Sequence, residues 1–381
     1  MSPPDVPVLM VIEHDIATTQ LIEQILGACA PFGVRYRKIR LADLAERDLD
    51  GDAVPFLVRC GDPVLPPWIE LLERQKRPYL YYIDDNFWEL AAETPLGQYY
   101  RHPGVRKALE CSVSNAHRVI ANSEVLAAYL QRFTTRTQVL PAFFDFSLID
   151  GVVPEPTAEF RIGFAGSISR GIDLQLIRGT IEPILDRIPN AVFEFCGVMP
   201  EGVEAGPRIR FFPHTNSYAD FIQFQARRNW AVGMAPLRDT PANRAKTDNK
   251  YREYGACGIA GVYSDIPPYE GNVRPGVTGL MVGSSGEEWL AAILRLALDV
   301  ELRTRIGRSA AGHTREKYSV DNVAAVWAAC IQDSQRELRR RRAVARGTSN
   351  SIQDACGSLE ALRLRLRDIN AGLAVAYDVT R

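Results

Sequence analysis

The sequence predicts an α/β protein with two doubly wound domains, and three observations support that prediction. The chain has 381 residues, and at roughly 150 residues per domain this length fits two domains with an appendage. Short apolar runs alternate with amphipathic stretches, which is typical of βαβ units with a parallel sheet. The segment 151–157 contains two prolines and interrupts the alternation, so we interpret it as a linker between two series.

The first series predicts an N-terminal domain over residues 1–152. Its predicted strands are Val6–Ile12, Val34–Ile39, Phe56–Val58, Tyr79–Ile83, Arg118–Ala121 and Gln138–Leu140. Amphipathic stretches between them predict the helices Ile16–Cys29, Trp68–Gln75 and Glu124–Phe133. Each strand is a short apolar run and each helix has apolar residues at helical spacing.

The second series predicts another such domain over residues 158–318. Its predicted strands are Arg161–Phe164, Val192–Phe195, Ile209–Phe211, Ala231–Met234, Ala260–Tyr263 and Leu280–Val282. Its predicted helices are Leu174–Leu185, Ser217–Ala226, Thr247–Ala256, Ser285–Leu298 and Val300–Thr314. Two doubly wound domains facing a cleft would bind ligands at the carboxyl ends of their strands.

The C-terminal part predicts a helical extension in two pieces. Residues 319–346 form a predicted helix that crosses back to the first domain, and six arginines lie within its end, Arg336–Arg346. Residues 347–381 carry an apolar heptad seam at Ile352, Ala355, Leu359, Leu362, Leu366, Ile369, Leu373 and Ala376. This seam favours either a coiled coil that makes a homo-oligomer or an amphipathic helix docked on its own protein.

The composition argues against a nucleic-acid-binding, a disulfide-rich and a membrane-spanning protein. Lys and Arg number 45 against 46 Asp and Glu, a balance that argues against a chain-wide surface for nucleic acid. Seven scattered cysteines without a C-x-x-C pair favour a reducing cytosol over a disulfide framework. The first residues lack a basic leader region, and no apolar run reaches the length of a membrane span. We therefore expect a cytoplasmic protein.

The segment 234–258 is the part of the sequence richest in potential binding chemistry. Thr247 and Asp248 are good helix-start residues, and Gly255 and Gly258 sit where C-terminal caps occur. The sequence therefore predicts a helix whose N-terminus follows a strand and offers free N–H groups to an anion.

Charged side chains gather at that predicted helix start. Lys246 and Lys250 suit a diphosphate, and Glu253 follows on the same flank, where its carboxylate could accept both hydroxyls of a ribose. The alternative is a surface helix on which Lys250 and Glu253 form a solvated pair. Spacing alone leaves both interpretations open.

A second candidate phosphate site is the loop 164–173, which follows one strand and precedes a helix. Gly166 allows close approach of a backbone, Ser167 and Ser169 are hydrogen-bond donors, and Arg170 is a cation. The loop matches neither the dinucleotide-binding glycine pattern nor the Walker loop. A plain turn is therefore the alternative.

The first domain has its own candidate site at the end of a strand. Asp84 and Asp85 directly follow the strand Tyr79–Ile83, and Trp88 lies just beyond. An aspartate facing the cleft could bind sugar hydroxyls while the indole stacks on a sugar face, and His14 lies on the same predicted rim. The alternative is a polar turn at the strand end. No His, Cys or Asp grouping has metal-ligand spacing.

These segments together resemble retaining glycosyltransferases of family 4, which have the GT-B fold, and in particular the polysaccharide and O-antigen type. The family pattern is E-x-x-A-x-G-x-P-V-V-A-S followed by G-x-x-G-x-L-V. The residues that fit it are Glu253, Ala256, Gly258, Ser264, Gly276, Gly279 and Val282. Residues 301–307 with Tyr318 and Ser319 resemble the family's trailing motif, and 82–85 with 119–123 resemble its acceptor domain.

The resemblance implies a metal-independent hexosyltransferase that retains anomeric configuration and needs no cofactor beyond its nucleotide-diphosphate sugar substrate. The donor site would comprise Gly166, Ser167, Arg170, Lys246, Thr247, Lys250 and Glu253. The acceptor site would comprise His14, Asp84, Asp85 and Trp88, and the catalytic residues would be Asp84, Asp85 and Lys246. The acceptor would be a surface glycan, free or lipid-linked. Independently of the resemblance, the arginines of Arg336–Arg346 favour contact with an anionic membrane surface, at the inner face of the plasma membrane.

Two departures from the family pattern matter for the donor sugar. Ala245 stands where the family has its first glutamate, and Ser167 stands where it has an arginine. Lys246 would then supply the charge of the absent arginine.

Two alternatives remain: a sugar-nucleotide epimerase of the same fold, with His214 as its candidate histidine, and a non-catalytic scaffold.

Overall fold

Each half of the chain forms a parallel six-stranded sheet in the computed structural model, which describes residues 5–215 and 217–348. The first unit comprises the chain up to Leu140 together with the chain from Ala324 onward, and the second unit is Pro141–Val323. The two doubly wound domains predicted from the alternation of strands and helices are confirmed.

The first unit contains a sheet with the order β2-β1-β3-β4-β5-β6. Its strands are β1 Val6–Ile12, β2 Val34–Arg40, β3 Val54–Val58, β4 Leu80–Ile83, β5 Arg118–Ala121 and β6 Thr137–Val139. Its helices are α1 Ala17–Ala28, α2 Leu65–Arg74, α3 Pro95–Arg101, α4 Pro103–Asn115 and α5 Glu124–Leu130. The order reverses between β1 and β3, and ligands bind beside the carboxyl ends of strands at such a reversal.

Helices α3 and α4 were not among the sequence predictions. Each begins with a proline, at Pro95 and Pro103. Proline is favoured at the first helical position because its missing N–H has no partner there. Thr94 confirms the start of α3, since its side chain accepts a hydrogen bond from the backbone N–H of Gly97.

The second unit contains a sheet with the order β12-β11-β10-β7-β8-β9. Its strands are β7 Phe160–Ala165, β8 Ala191–Cys196, β9 Ile209–Phe212, β10 Val232–Ala235, β11 Ala260–Ser264 and β12 Leu280–Val282. Its helices are α6 Gln175–Arg178, α7 Ile181–Arg187, α8 Tyr218–Arg228, α9 Pro241–Arg244, α10 Asn249–Ala256, α11 Gly286–Leu298 and α12 Val300–Lys317. Here the order reverses between β7 and β10.

The boundary between the units lies before the proline-rich segment 151–157. The backbone N–H of Phe144 donates to the carbonyl of Tyr318, and the Phe144 ring belongs to the core of the second unit. The N–H of Glu155 donates to the carbonyl of Arg227. The segment 141–157 is therefore held by the second unit, so the predicted domain limit of 152 differs from the observed limit of 140.

An ion network centred on a buried glutamate lies in the second unit. Glu194 on β8 is fully buried, and its carboxylate accepts hydrogen bonds from the Arg228 guanidinium and from the Trp230 indole, the latter at 2.8 Å. The network also includes Glu155, Glu159, Arg161 and Arg210. Three glutamates thus face three arginines, which balances the buried charge. The Trp230 ring lies so close to Gly163 that a Cβ at that position would overlap it.

The predicted C-terminal helix is present as α13, Val320–Thr348, which from Ala324 onward belongs to the first unit. Trp327 is 1% exposed and packs against Phe56 and Tyr82, with ring centroids 6.4 and 6.0 Å apart. The Gln332 side chain donates to the carbonyl of Phe32 at 2.9 Å. This helix is therefore part of the first unit's core.

Several arginines of the basic run pair with carboxylates of the same unit. Arg340 and Arg341 both pair with Glu337, at 2.7 and 2.6 Å, and Arg342 pairs with Asp52 at 2.6 Å. The heptad seam at 352–376 lies outside the described residues. Among the helices of the described residues, none combines the length and the apolar character needed to cross a membrane.

Candidate functional site

Helix α10 carries Lys250 and Glu253, two of the residues predicted to bind the donor nucleotide, and Lys246 and Thr247 lie just before it. It begins at Asn249 with Asp248 as its N-cap residue, so it starts two residues later than the predicted Thr247. The Thr247 hydroxyl instead donates to Asn249 Oδ1 at 2.7 Å. The Asp248 side chain makes no cap hydrogen bond to α10, and N–H groups at the start of a helix without such a cap suit an anion.

The two glycines near the end of α10 have different structural roles. Gly258 follows the helix with φ 69°, so it is the left-handed residue that ends the helix, as predicted. Gly255 lies inside the helix, which corrects its predicted role as a cap. A Cβ there would come within 2.5 Å of Thr314 Cγ2 on α12, so the glycine lets the two helices pack closely.

Lys250 and Glu253 form an ion pair in the first turns of α10. Lys250 Nζ lies 2.7 Å from Glu253 Oε2, and their side chains are only 15% and 7% exposed. The pair predicted by spacing is therefore present, but it is largely buried rather than solvated. The carboxylate retains lone pairs on its second oxygen, which can accept a further hydrogen bond.

The loop after β7 is linked to the loop after β10 through Asp173. The Asp173 carboxylate is 3% exposed, and it accepts hydrogen bonds from Arg170 Nη1 at 3.0 Å, the Arg238 N–H at 3.1 Å and Asn243 Nδ2 at 3.1 Å. Since β7 and β10 flank the reversal of strand order, this network lies where such sheets bind ligands. Arg170 is thereby held at the reversal.

The other predicted residues of this loop are exposed or tightly packed. Ser167 Oγ and Ser169 Oγ lie 2.9 Å apart on the surface. A Cβ at Gly166 would lie 3.0 Å from the Phe164 ring and 3.2 Å from Arg170 Cγ, so glycine suits the close packing there.

Two further residues singled out from the sequence lie just before α10. Ala245 is fully buried, and Lys246 next to it is half-buried.

In the first unit, the strand β4 ends at Ile83 and Asp84 follows directly, as the sequence predicts. Arg59, the first residue after β3, pairs with both aspartates: its Nη1 lies 3.3 Å from Asp84 Oδ2 and its Nη2 lies 3.5 Å from Asp85 Oδ2. Thr18 also donates to Asp84 Oδ2, at 2.5 Å. Both aspartates are thus arranged around a cation.

Arg59 has an unusual backbone for a non-glycine residue. Its φ is 56°, in the left-handed region that side chains rarely adopt. Burial alone would lower the pKa of Arg59, but the nearby Asp84 and Asp85 carboxylates outweigh it and raise that pKa further. Non-glycine residues in this conformation concentrate at functional sites.

Glu13 lies at the same edge of the sheet and was not among the predicted site residues. It follows β1 directly, and its Oε1 accepts hydrogen bonds from the N–H groups of Gly61 and Asp62, both at 2.6 Å. Burial and the Asp62 carboxylate raise the pKa of Glu13 to about 7, although the two N–H groups and Arg59 lower it. A carboxyl group with that pKa can give or take a proton at neutral pH.

The raised pKa of Glu13 predicts a pH-dependent effect of Glu13→Gln on stability. The folded pKa exceeds the usual 4.5, so the folded state holds its proton more tightly and loses stability as pH rises from about 4.5 to 7. Glutamine has no such loss. We therefore compare the free energy of unfolding of the variant with that of the parent. We expect this difference to favour the variant by about 2–3 kcal/mol more at pH 8 than at pH 5.

Urea unfolding of the parent and the variant at both pH values measures this gain. The exposed Glu93→Gln serves as the control and should show no difference between the two pH values. An equal effect of Glu13→Gln at pH 5 and pH 8 would show that Glu13 titrates normally.

Trp88 and His14, predicted at the acceptor site, differ in their exposure. Trp88 is 7% exposed, stacks on Phe133 with ring centroids 4.8 Å apart, and donates its indole N–H to Glu110. Its ring faces are used in the core, which argues against the predicted stacking on a sugar. His14 is exposed at the end of β1.

His214, the candidate histidine of an epimerase, follows β9 at the edge of the second sheet. Its ring is exposed and its Nδ1 contacts the carbonyl of Thr215 at 3.0 Å. The described residues give it no ion pair with a carboxylate. Within the same residues, no group of three or more His, Cys, Asp or Glu side chains is placed to hold a metal ion.

Sequence reasoning missed Arg59, Glu13 and Asp173 as site residues. Arg59 and Glu13 are each the first residue after a buried strand, which is the signal that identified Asp84. The carboxyl ends of parallel strands meet at one edge, so a polar residue directly after every strand deserved equal weight. Asp173 lies inside a loop, and nothing in its spacing marks it.

Comparison with solved structures gives clear matches of the whole fold. Anabaena Alr3699/HepE, solved in complex with UDP, matches with a TM-score of 0.62 and 13% identity over 86% of this chain and 100% of its own. Sucrose-phosphate synthase from Thermosynechococcus elongatus matches with a TM-score of 0.65 and 15% identity over 86% and 98%. The chain has the two-domain Rossmann-like GT-B fold. A glycosyltransferase from Rickettsia africae matches with a TM-score of 0.58 and 11% identity, over 87% of this chain and 98% of its own.

The GT-B fold places the sites described above in a known architecture. Doubly wound sheets bind ligands beside the carboxyl ends of their strands, and Asp173 and Arg59 lie at that edge of their sheets. No family model and no curated protein sequence matches the chain. The fold is therefore established by structural similarity alone.

Proposed function

We propose that this protein is a glycosyltransferase that moves a sugar from a nucleoside-diphosphate donor to a hydroxyl of a glycan acceptor. The observation that carries the proposal is the largely buried Lys250–Glu253 pair, 2.7 Å apart, at the start of an uncapped helix. A cation and free N–H groups suit a diphosphate, and a carboxylate beside them suits a ribose. HepE, which shares the fold, was solved with UDP.

The same residues suit the chemistry of sugar transfer. When the bond between the sugar and the phosphate breaks, negative charge develops on the departing diphosphate. Lys246, Lys250 and Arg170 with the α10 N-terminus would stabilise that charge without a metal ion. The Asp173 network holds Arg170 at the strand-order reversal, so one of these cations is positioned before the donor arrives.

Titration of the protein with nucleoside diphosphates tests the donor site, and Glu253→Ala gives the expected effect. A hydrogen bond to a charged group contributes about 1.5–3 kcal/mol, so the variant should bind its nucleotide roughly 10- to 100-fold more weakly. The exposed Glu182→Ala in the same unit is the matched control and should bind as the parent does. Two results would contradict the assignment: the parent binds no nucleoside diphosphate, or Glu253→Ala binds every nucleotide with the same affinity as the parent.

Finer parts of the proposal come from the resemblance to family 4. We propose retention of anomeric configuration, a hexose donor and a role in surface polysaccharide synthesis at the cytoplasmic face of the membrane. Analysis of the product anomer addresses the first of these. The epimerase alternative finds little support at His214, which is exposed and forms no ion pair with a carboxylate of the described residues. The scaffold alternative predicts that the protein binds no nucleotide sugar.

The basic run and the heptad seam remain proposals. We propose that Arg336–Arg346 contacts an anionic membrane surface, where each basic residue contributes about 1 kcal/mol. In support, the side chains of Arg336 and Arg340 are each 69% exposed. We further propose that residues 352–376 make a homo-oligomer through their apolar seam.

A further inference from the structure

The N-cap residue of α10 has an unusual hydrogen-bond partner. An aspartate at this position usually accepts hydrogen bonds from N–H groups of the first helical turn. Asp248 makes no such bond: its backbone, at φ −78° and ψ 33°, departs from the extended conformation of a usual N-cap, and its carboxylate accepts a hydrogen bond from the Tyr318 hydroxyl. Asp248 and Tyr318 are 6% and 4% exposed, so a buried negative charge lies beside the proposed diphosphate site without capping the helix.

The packing of two antiparallel helices fixes this contact. Gly255 on α10 faces Thr314 on α12, and the Tyr251 hydroxyl is hydrogen-bonded to His313 Nδ1 one turn nearer the start of α10. Asp248 and Tyr318 continue this alignment at the end of α12. The Tyr318 backbone is held on both sides, by its N–H to Thr314 and by its carbonyl, which accepts from Phe144.

We propose that Tyr318 holds the Asp248 carboxylate away from the first turn of α10 and so keeps that N-terminus open for the donor diphosphate. Tyr318 is a positioning residue in this scheme, since it acts through Asp248. The inference rests on the proposed function, because it requires a diphosphate at the start of α10.

The electrostatics of the site support this role. Burial and the Asp248 carboxylate both raise the pKa of Tyr318, so the phenol stays protonated and keeps donating its hydrogen bond. Arg252 lies over the Tyr318 ring at 5.8 Å, but its guanidinium donates to Asn249 rather than to Asp248. Without the phenol hydroxyl, the Asp248 carboxylate is free to turn toward the first turn of α10, where its charge competes with the diphosphate.

A double-mutant cycle on the full chain tests the proposal through the dissociation constant of the nucleoside diphosphate that the parent binds best. We expect Tyr318→Phe to raise that constant about 10-fold, which corresponds to about 1.4 kcal/mol. We expect Asp248→Asn to bind at least as tightly as the parent. The double variant should match Asp248→Asn within about 2-fold, because the asparagine carries no charge to repel the diphosphate.

Tyr251→Phe is the matched control, since it removes another α10–α12 hydrogen bond and should leave nucleotide affinity unchanged. Three results overturn the inference while leaving the donor site intact: parental affinity of Tyr318→Phe, a loss that persists in the double variant, or a 10-fold loss in Asp248→Asn alone. The last comparison stands even where Tyr318→Phe does not fold. A parent that binds no nucleoside diphosphate overturns both this inference and the proposed function.

Discussion

Replacing Asp84 and Asp85 together by asparagine is expected to lower sugar transfer at least about 100-fold while nucleotide affinity stays within about 2-fold. Two hydrogen bonds from sugar hydroxyls to charged carboxylates at about 1.5 kcal/mol or more each account for that fall. The carboxylates lie in the first unit, at the end of β4, and both contact Arg59. Nucleotide binding is proposed for the second unit, which the substitutions leave unchanged.

Rates of transfer and nucleotide titrations on the same preparations separate the two effects. The exposed Asp43→Asn in the first unit is the control for loss of an aspartate charge and should transfer sugar at the parental rate. Thermal midpoints show whether Arg59, left without its carboxylates, has destabilised the unit. Parental transfer by the double variant would identify 84–85 as a polar turn, and Glu13–Asp15 would become the next segment to test.

Glu194→Ala is expected to lower the free energy of unfolding of the second unit by about 3–5 kcal/mol, the range measured when one partner of a buried ion pair is removed. Glu194 is fully buried and accepts hydrogen bonds from Arg228 and Trp230. Its loss leaves three arginines facing two glutamates and a buried indole N–H without its acceptor. Urea unfolding at pH 7 measures the change.

Glu194→Gln and Glu182→Ala are the controls for this effect. The glutamine retains an acceptor for the Trp230 N–H, so it should lose less stability than the alanine. Glu182 is exposed on α7, and its replacement should change stability by no more than about 0.5 kcal/mol. A Glu194→Ala variant as stable as Glu182→Ala would mean that the arginines are solvated and the network contributes nothing.

The inner strands of both sheets in the described residues, such as β3, β4, β7 and β8, were predictable because each is a short apolar run between turns. Burial on both faces of a parallel sheet demands such runs. The edge strand β2, with the sequence VRYRKIR, is only partly buried and was predictable from its alternating residues instead. Helices α3 and α4 were not predictable by the same reasoning. Their starting prolines, Pro95 and Pro103, break a helix in its interior but favour its first position. Sequence alone does not say which of these two positions a proline occupies.

Contacts in the candidate site were predictable between residues of one helix. They were not predictable between residues that meet only at the carboxyl edge of a sheet. Lys250 and Glu253 are three residues apart on α10, so helical spacing brings them together. Arg59 reaches Asp84 and Asp85 only because β3 and β4 are neighbours in the sheet. The pairing of Asp248 with Tyr318 depends on how α10 packs against α12, which no local pattern encodes.

The divided first unit has a consequence for synthesis on the ribosome. Its sheet is complete at Leu140, but Phe56 and Tyr82 are covered by Trp327, which is made only after the whole of the second unit. At 5–20 residues per second that delay lasts roughly ten to forty seconds. The second unit is one continuous segment and can finish folding first, so the nascent N-terminal half waits with an apolar face uncovered. Chaperones that bind such faces would find their target during this interval.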